Sequence, residues 1–211
     1  MTARPAQLAF VSGTGTEIGK TWIATAMLRQ LRSAGTRVAA RKPAQSFVPG
    51  EQHTDADVLA AATGETPHEV CAPQRWYGCA LAPPMAAEAL GKAPFTVDEL
   101  VAELCWPDAI EVGLVEGAGG PRSPLAADGD NVSLARAIAV DTVVLVAHAD
   151  LGTINAVRMS VDAFAGLPVV VVLNRYDDNE PIHRANRDWL ASRYGLEIVV
   201  GPEAAARRLS P

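Results

Sequence analysis

This sequence is poor in the residues that build disulfide scaffolds and zinc sites. It has three cysteines without CxxC spacing, and its four histidines form no cluster with each other or with cysteine. An odd number of cysteines in this arrangement argues against a disulfide framework and against a zinc site. We therefore expect reduced thiols, no zinc and no catalytic histidine.

Long apolar runs and an excess of positive charge are also missing. No stretch reaches 18 consecutive apolar residues, and the polar N-terminus leads into only a short apolar run, so neither a membrane span nor a signal peptide is predicted. The net charge of −6 argues against a nucleic-acid-binding surface. We therefore expect a cytoplasmic protein that acts on small molecules and binds neither nucleic acid nor membrane.

Apolar runs bounded by glycine or proline alternate with amphipathic or alanine-rich stretches. The predicted strands are Leu8–Val11, Val38–Ala40, Val112–Val115, Thr142–Ala147, Val169–Leu173 and Ile198–Val200. The predicted helices are Lys20–Ala34, Asp55–Thr63, Met85–Leu90, Val97–Leu104, Asn155–Ala165 and Arg184–Arg193. The alternation predicts one α/β domain over residues 1–211, with a mostly parallel sheet covered by helices on both faces. In such sheets ligands bind beyond the carboxyl ends of the strands.

The strongest motif lies where the first predicted strand meets the first predicted helix. Residues 13–21 read Gly-Thr-Gly-Thr-Glu-Ile-Gly-Lys-Thr, a loop typical of phosphate-binding (P-loop) NTPases, although its spacing is one residue longer than usual. Backbone N–H groups and the helix dipole would hold phosphate oxygens, Lys20 would reach the β- and γ-phosphates from an exposed helix start, and Thr21 would ligate Mg²⁺. Gly15 stands where the partition and septum-site ATPases carry a second lysine, which disfavours that class.

Two further candidates each have an ordinary structural explanation. Lys42 follows the second predicted strand, and Pro43 ends the pairing there, so Lys42 is either a second cation facing the phosphates or a solvated lysine. Asp55 follows Thr54, which is predicted to cap a helix in a capping box with Asp57. Asp55 is therefore either a metal ligand or an acid that only complements the helix dipole.

Glu116 ends a predicted buried strand and is followed directly by a glycine-rich turn over residues 117–120. A carboxylate beside backbone that a ligand can approach closely is suited to holding magnesium, and the alternative is a solvated glutamate in an ordinary turn. The tryptophans are expected to pack rather than to form a stacking platform. They are Trp22, Trp76, Trp106 and Trp189.

Taken in order, the motifs resemble the dethiobiotin synthetase family of P-loop enzymes. They comprise the loop above, Lys-Pro-x-x-Ser, Asp-Ala-x-x-Leu, Val-Glu-Gly-Ala-Gly-Gly and Leu-Gly-Thr-Ile-Asn, ending at Asn174. The resemblance implies an ATP- and Mg²⁺-dependent ligase that joins CO₂ or bicarbonate to 7,8-diaminopelargonate. The ureido ring closes through a carbamate and a carbamic–phosphoric anhydride, giving dethiobiotin, ADP and phosphate in biotin biosynthesis. It also implies a homodimer.

The resemblance further implies roles for individual residues. The implied metal ligands are Thr21, Asp55 and Glu116. The implied catalytic groups are Lys42, Lys20 and Thr16. The nucleotide contacts are Gly15, Thr16, Glu17, Ile18, Gly19, Lys20 and Thr21, with Asn174 at the base. The substrate contacts are Ser46, Gly117, Ala118, Gly119 and Gly120 at the diamine end, and Leu151, Gly152, Thr153 and Asn155 at the carboxylate end in the dimer interface.

Two stretches depart from the family pattern. Only eight residues follow Glu203, so it stays open whether the C-terminal segment contacts the nucleotide base. Residues 67–81 have no assigned counterpart in the family pattern. Two alternatives therefore remain, a ligase of the cobyrinic acid amidase type and a nucleotide-switch module that controls a partner.

Overall fold

The computed structural model describes residues 4–210. Its strands, in chain order, are β1 Gln7–Gly13, β2 Val38–Arg41, β3 Gln45–Ser46, β4 Trp76–Tyr77, β5 Val112–Glu116, β6 Pro124–Ala126, β7 Gly129–Asp130, β8 Thr142–His148, β9 Val169–Asn174 and β10 Glu197–Val200. Its α-helices are α1 Lys20–Ser33, α2 Asp55–Thr63, α3 Pro67–Val70, α4 Pro83–Ala89, α5 Val97–Glu103, α6 Asn131–Ala137, α7 Thr153–Ala163, α8 Pro181–Tyr194 and α9 Gly201–Arg207.

Six strands form a parallel sheet in the order β10-β9-β8-β1-β5-β2, which confirms the predicted fold class. Successive side chains of β1 enter different cores. Val11 joins Ile23 and Leu28 of α1 on one face, and Phe10 joins Leu100 of α5 and other residues on the opposite face. Because both faces are covered, the strands read as continuous apolar runs without polar alternation.

The connections place a ligand crevice at the end of β1. Strands β2 and β5 lie on one side of β1 and strands β8, β9 and β10 on the other, so the strand order reverses there. In open parallel sheets the crevice at such a point, outside the carboxyl ends of the strands, is the preferred binding position. The glycine-containing loop after β1 enters this crevice.

All twelve predicted strands and helices are present, with ends displaced by up to three residues. The sequence reading missed α3, α6, α9 and the short strands. The four-residue α3 and strands of two or three residues are too brief to give a periodic signal, whereas α6 and α9 are as long as α4 and α5, which were predicted. The irregular stretch after residue 67 holds α3, a 3₁₀ turn and β4, which pairs with β3. Within residues 4–210, none of the helices is both long and apolar enough to cross a membrane.

Candidate functional site

Backbone shape at the first loop requires glycine at two positions. A Cβ on Gly13 would lie 2.4 Å from the side chain of Ile18, and a Cβ on Gly19 would lie 2.2 Å from Nδ2 of Asn174. Gly19 also has a φ of +90°, in the left-handed region that side chains disfavour. A Cβ on Gly13 would also lie 2.9 Å from the carbonyl oxygen of Gly15, so this backbone contact at one end and the left-handed φ at the other explain why the two ends of this loop are glycines.

The N-terminus of α1 is open to an anion. Gly19 is its N-cap and supplies no side-chain hydrogen bond to the first turn, so N–H groups there are left for another partner. Together with the helix dipole, these groups favour a bound phosphate. Lys20 folds back over the loop, and its Nζ donates to the carbonyl of Gly15 at 2.9 Å.

Lys20 is buried rather than exposed, which corrects the sequence-based expectation. Burial lowers the pKa of Lys20, the nearby ammonium of Lys42 lowers it further, and the carboxylates of Glu116 and Asp55 act in the opposite direction. Two cations and two carboxylates thus share one small region. A bound polyphosphate would add negative charge beside Lys20 and favour its ammonium form.

Lys42 is also buried, with 3% of its side chain exposed, so it is not a solvated strand-end lysine. Its Nζ lies 2.6 Å from Oδ2 of Asp55 and 2.7 Å from Oε1 of Glu116, and it donates to the carbonyl of Gly117 at 3.1 Å. Burial by itself lowers the pKa of Lys42, but the two carboxylates more than offset this effect and raise it above its usual value. Lys42 therefore stays protonated.

Thr21 lies between the same two carboxylates. Its Oγ1 is 2.9 Å from Oδ1 of Asp55 and 2.9 Å from Oε1 of Glu116. A hydroxyl carries one hydrogen, so it can donate to only one of them at a time. Lys42 holds the pKa of Asp55 below its ordinary value, whereas burial raises the pKa of Glu116 and Lys42 opposes that rise.

These oxygens fit a magnesium ion. Within residues 4–210, the second carboxylate oxygen of Glu116 has no hydrogen-bond partner, and the side chain is fully inaccessible to solvent. A buried polar atom of this kind requires a partner, which a cation would supply. Residues 4–210 contain no group of three or more histidine, cysteine or acidic residues that could hold a metal. Magnesium does not need one, because it commonly takes one or two carboxylates and completes its shell with water and substrate phosphates.

The orientation of Asp55 depends on Gln45, which the sequence reading passed over inside the Lys-Pro-x-x-Ser motif. Gln45 is buried; its Oε1 accepts from the backbone N–H of Ala56 at 3.0 Å and its Nε2 donates to Oγ1 of Thr54 at 3.2 Å. The predicted capping box of Thr54 and Asp57 is present. The start of α2 is thereby attached to the segment that carries Lys42.

The glycine turn after β5 is held by Asn131, another residue that the sequence reading missed. Its Oδ1 accepts from the N–H of Ala118 at 3.0 Å, and its Nδ2 donates to the carbonyls of Ala118 and Gly120 at 2.7 Å each. A Cβ on Gly117 would lie 2.1 Å from Oδ1 of Asn131. Asparagine near a helix start is common in sequences, so the pattern carried no specific signal.

Replacing Asn131 with alanine should lower the free energy of unfolding by about 2–3 kcal/mol, because backbone groups of the half-buried turn lose three hydrogen bonds to the amide. Urea unfolding checks this, with Asn179→Ala, at an exposed position, as the matched control. Equal unfolding midpoints for Asn131→Ala and the native chain would show that the turn holds its shape without the amide.

Half of the predicted site residues border one cavity of about 400 Å³. Its lining includes Thr16, Glu17, Gly19, Lys20, Thr21, Lys42, Ser46, Asp55, Ala118 and Gly119. Glu116 and Gly117 are buried next to it, as their contacts with Lys42 show. Gly15 and Ile18 belong to the same loop.

The other predicted residues lie apart from this cavity. Leu151 and Gly152 are exposed, while the Thr153 hydroxyl is buried and donates to the carbonyl of His148 at 2.6 Å. Asn155 borders a second cavity, of about 530 Å³, together with Gly15, Thr16 and Gly120. Within one chain, the 151–155 segment therefore does not meet Lys42 or the carboxylates.

Asn174 borders a third cavity, of about 420 Å³, beyond the phosphate loop. Its Nδ2 donates to the carbonyl of Ile18 at 2.8 Å and its Oδ1 accepts from the N–H of Arg175 at 2.9 Å. A side-chain amide has two N–H groups and two lone pairs. Within residues 4–210, these two hydrogen bonds leave one N–H group and one lone pair of Asn174 for a ligand. Gly201, at the start of α9, borders the same cavity.

Comparison with known proteins gives a consistent result. A family model described as an AAA domain matches residues 7–201. The chain is 35% identical to the ATP-dependent dethiobiotin synthetase BioD of Anaeromyxobacter dehalogenans strain 2CP-C, over 94% of this chain and 92% of that protein. It is 36% identical to the protein of the same name from Janthinobacterium sp. strain Marseille, over 90% of this chain and 85% of that one.

Among solved structures, the chain resembles the signal recognition particle receptor FtsY of Elizabethkingia anophelis in complex with GDP. The TM-score is 0.57 at 16% identity, over 96% of this chain and 59% of that chain. At this identity the likeness shows a shared fold and nothing further.

Proposed function

The chain belongs to the ATP-dependent dethiobiotin synthetase family, and from this membership we propose that it joins CO₂ to 7,8-diaminopelargonate at the cost of ATP, giving dethiobiotin, ADP and phosphate. It is an ATP-dependent ligase. One observation carries the assignment of the site. Lys20 and Lys42, two of the three lysines in the chain, are buried, and they lie with Thr21, Asp55 and Glu116 at one cavity beside the open start of α1.

The chemistry proceeds in three steps that need no protein nucleophile. One amine of the substrate attacks CO₂ and loses a proton, which gives a carbamate. A carbamate oxygen attacks the γ-phosphorus of ATP and ADP leaves. The second amine attacks the carbonyl carbon of the resulting anhydride, phosphate departs with its oxygen, and a proton is lost as the ureido ring closes. Phosphoryl transfer of this kind depends on positioning and on neutralisation of charge.

The residues around the cavity suit these requirements. Lys20 and the first-turn N–H groups of α1 would hold the phosphates, and the ammonium of Lys42 would stabilise the carbamate and the transferring phosphoryl group. Ser46 and the 117–120 turn would hold the diamine end, since Ser46, Ala118 and Gly119 border the same cavity as Lys42. Thr16 borders both this cavity and the neighbouring 530 Å³ cavity, so it would contact reacting groups where the two meet.

Thr21, Asp55 and Glu116 would hold Mg²⁺, which when bound supplies positive charge to the β- and γ-phosphates. Lys42 contacts both carboxylates where the cation would bind, so it holds them at a short separation before nucleotide arrives. It also lowers the pKa of Asp55 and opposes the burial that raises the pKa of Glu116. The unpartnered oxygen of Glu116 supports this assignment.

The substrate carboxylate would be held at a homodimer interface by Leu151, Gly152, Thr153 and Asn155. Two exposed apolar side chains support an interface on this part of the surface, Leu151 with 86% and Met159 with 66% of its surface accessible. Gly152 caps α7 without a side-chain hydrogen bond, which leaves N–H groups for a carboxylate.

The reaction is tested with purified protein, 7,8-diaminopelargonate, bicarbonate and Mg-ATP, with dethiobiotin and ADP measured by mass spectrometry. Equal amounts of the two products, formed only when the diamine is present, are expected. ATP binding without diamine-dependent turnover would instead favour a nucleotide switch, and turnover with a different acid substrate would favour another ligase.

Replacing Lys20 with alanine should lower turnover by about two powers of ten, because one charge contact to the transferring phosphoryl group is lost. The measurement is the initial rate of dethiobiotin formation at saturating ATP. Lys92→Ala, which removes an exposed lysine outside the cavity, is the matched control. Native activity in Lys20→Ala would show that Lys20 does not contact the phosphates in the reaction.

A further inference from the structure

Trp22 has an unusual position for a large aromatic residue. It follows Thr21 directly, on the first turn of α1, and 59% of its surface is exposed. Its helix neighbours Ile23 and Met27 are fully buried in the core, whereas Trp22 belongs to none of the hydrophobic clusters of residues 4–210. The expectation that Trp22 packs in the interior is therefore wrong.

Trp22 borders two cavities at once. One is the 400 Å³ cavity with Lys20, Thr21 and Lys42, and the other is the 420 Å³ cavity beyond the phosphate loop. The second cavity also has apolar walls from Leu173 and Val200. It is bordered by the Asn174 amide, which keeps one N–H group and one oxygen lone pair for a ligand within residues 4–210. A ligand whose phosphates lie at the start of α1 would extend into this second cavity past Trp22.

We propose that Trp22 stacks on the nucleobase of the bound nucleotide and is a main source of affinity for it. The inference rests on the proposed use of a nucleotide at this loop. Every base has a π-face, so an indole ring stabilises purines and pyrimidines alike, and the Asn174 amide would add an edge contact. The site therefore binds nucleoside polyphosphates with affinity from stacking and with modest discrimination between bases.

The test compares Mg-ADP with inorganic tripolyphosphate by calorimetry. Trp22→Ala should raise the Kd for Mg-ADP about 10-fold or more and leave the Kd for tripolyphosphate unchanged, because tripolyphosphate has no base. Trp22→Phe should keep most of the ADP affinity, since phenylalanine also stacks. Trp189 is a second exposed tryptophan and lies on α8, so Trp189→Ala should leave the Kd of both ligands unchanged.

Intrinsic fluorescence gives an independent readout in variants that keep native binding. The native chain and Trp189→Phe should both show a change in tryptophan emission when Mg-ADP binds, and Trp22→Phe should lose it. The proposal is overturned if Trp22→Ala weakens ADP and tripolyphosphate equally, if it weakens neither, or if the emission change persists in Trp22→Phe. Failure of the native chain to bind Mg-ADP would instead overturn the proposed function.

Discussion

Replacing Lys42 with methionine should lower dethiobiotin formation by about three powers of ten while preserving measurable Mg-ADP binding. Lys42 is the cation that contacts both carboxylates of the site, and its ammonium would also face the carbamate and the transferring phosphoryl group. Loss of one such preorganised contact typically costs two to three powers of ten in turnover. Single-turnover rates with bound ATP would check the chemical step directly.

The same variant should also be less stable, which separates it from a purely catalytic change. Removing Lys42 leaves Glu116 as a fully buried carboxylate without its cation, a situation that costs about 3–5 kcal/mol of unfolding free energy. The double variant Lys42→Met, Glu116→Gln should recover much of that stability and none of the turnover. Lys92→Met serves as the control. Native turnover in Lys42→Met, or unchanged stability, would contradict the role assigned to the pair.

Replacing Glu116 with glutamine should lower turnover by about three powers of ten and raise the magnesium concentration needed for half-maximal activity. The amide keeps the volume of the side chain but loses the charge that a hard cation prefers. Asp55→Asn should shift the magnesium dependence in the same direction but less strongly, because Asp55 is 41% exposed and water can replace part of its contribution.

Magnesium titration of both variants at fixed ATP is the deciding measurement. Asp98→Asn removes an acid from the first turn of α5, away from the cavity, and should leave the magnesium dependence native. An unchanged magnesium dependence in Glu116→Gln would show that magnesium does not bind at this location. The same result confined to Asp55→Asn would leave Asp55 as an acid that complements the dipole of α2.

The parallel sheet was readable from the sequence because its strands are buried on both faces. Runs such as Val169–Leu173 then need no polar residue, and Pro168 marks the start of this one. The loop at residues 13–21 was equally legible, because its glycines and the Lys20-Thr21 pair follow a predicted strand and open a predicted helix. Local chemistry alone specifies these features, so a single sequence suffices to predict them.

Long-range contacts decided the features that the sequence left open. Lys42 and Glu116 are 74 positions apart, and only the pairing of β2 with β5 brings their side chains to the same edge of the sheet. Gln45 and Asn131 showed no pattern of their own, because their importance lies in hydrogen bonds to the backbone of other segments.

What the sequence determined by itself is therefore the fold class, the phosphate loop and the resemblance to a family, all of which depend on residues close together in the chain. Only the tertiary structure decided that Lys20 and Lys42 are buried, that Asp55 meets Thr21 and Lys42, and that Trp22 borders a cavity outside the core. The physical reason is that burial and charge pairing depend on which distant segments the sheet brings together, and a local sequence pattern does not specify those contacts.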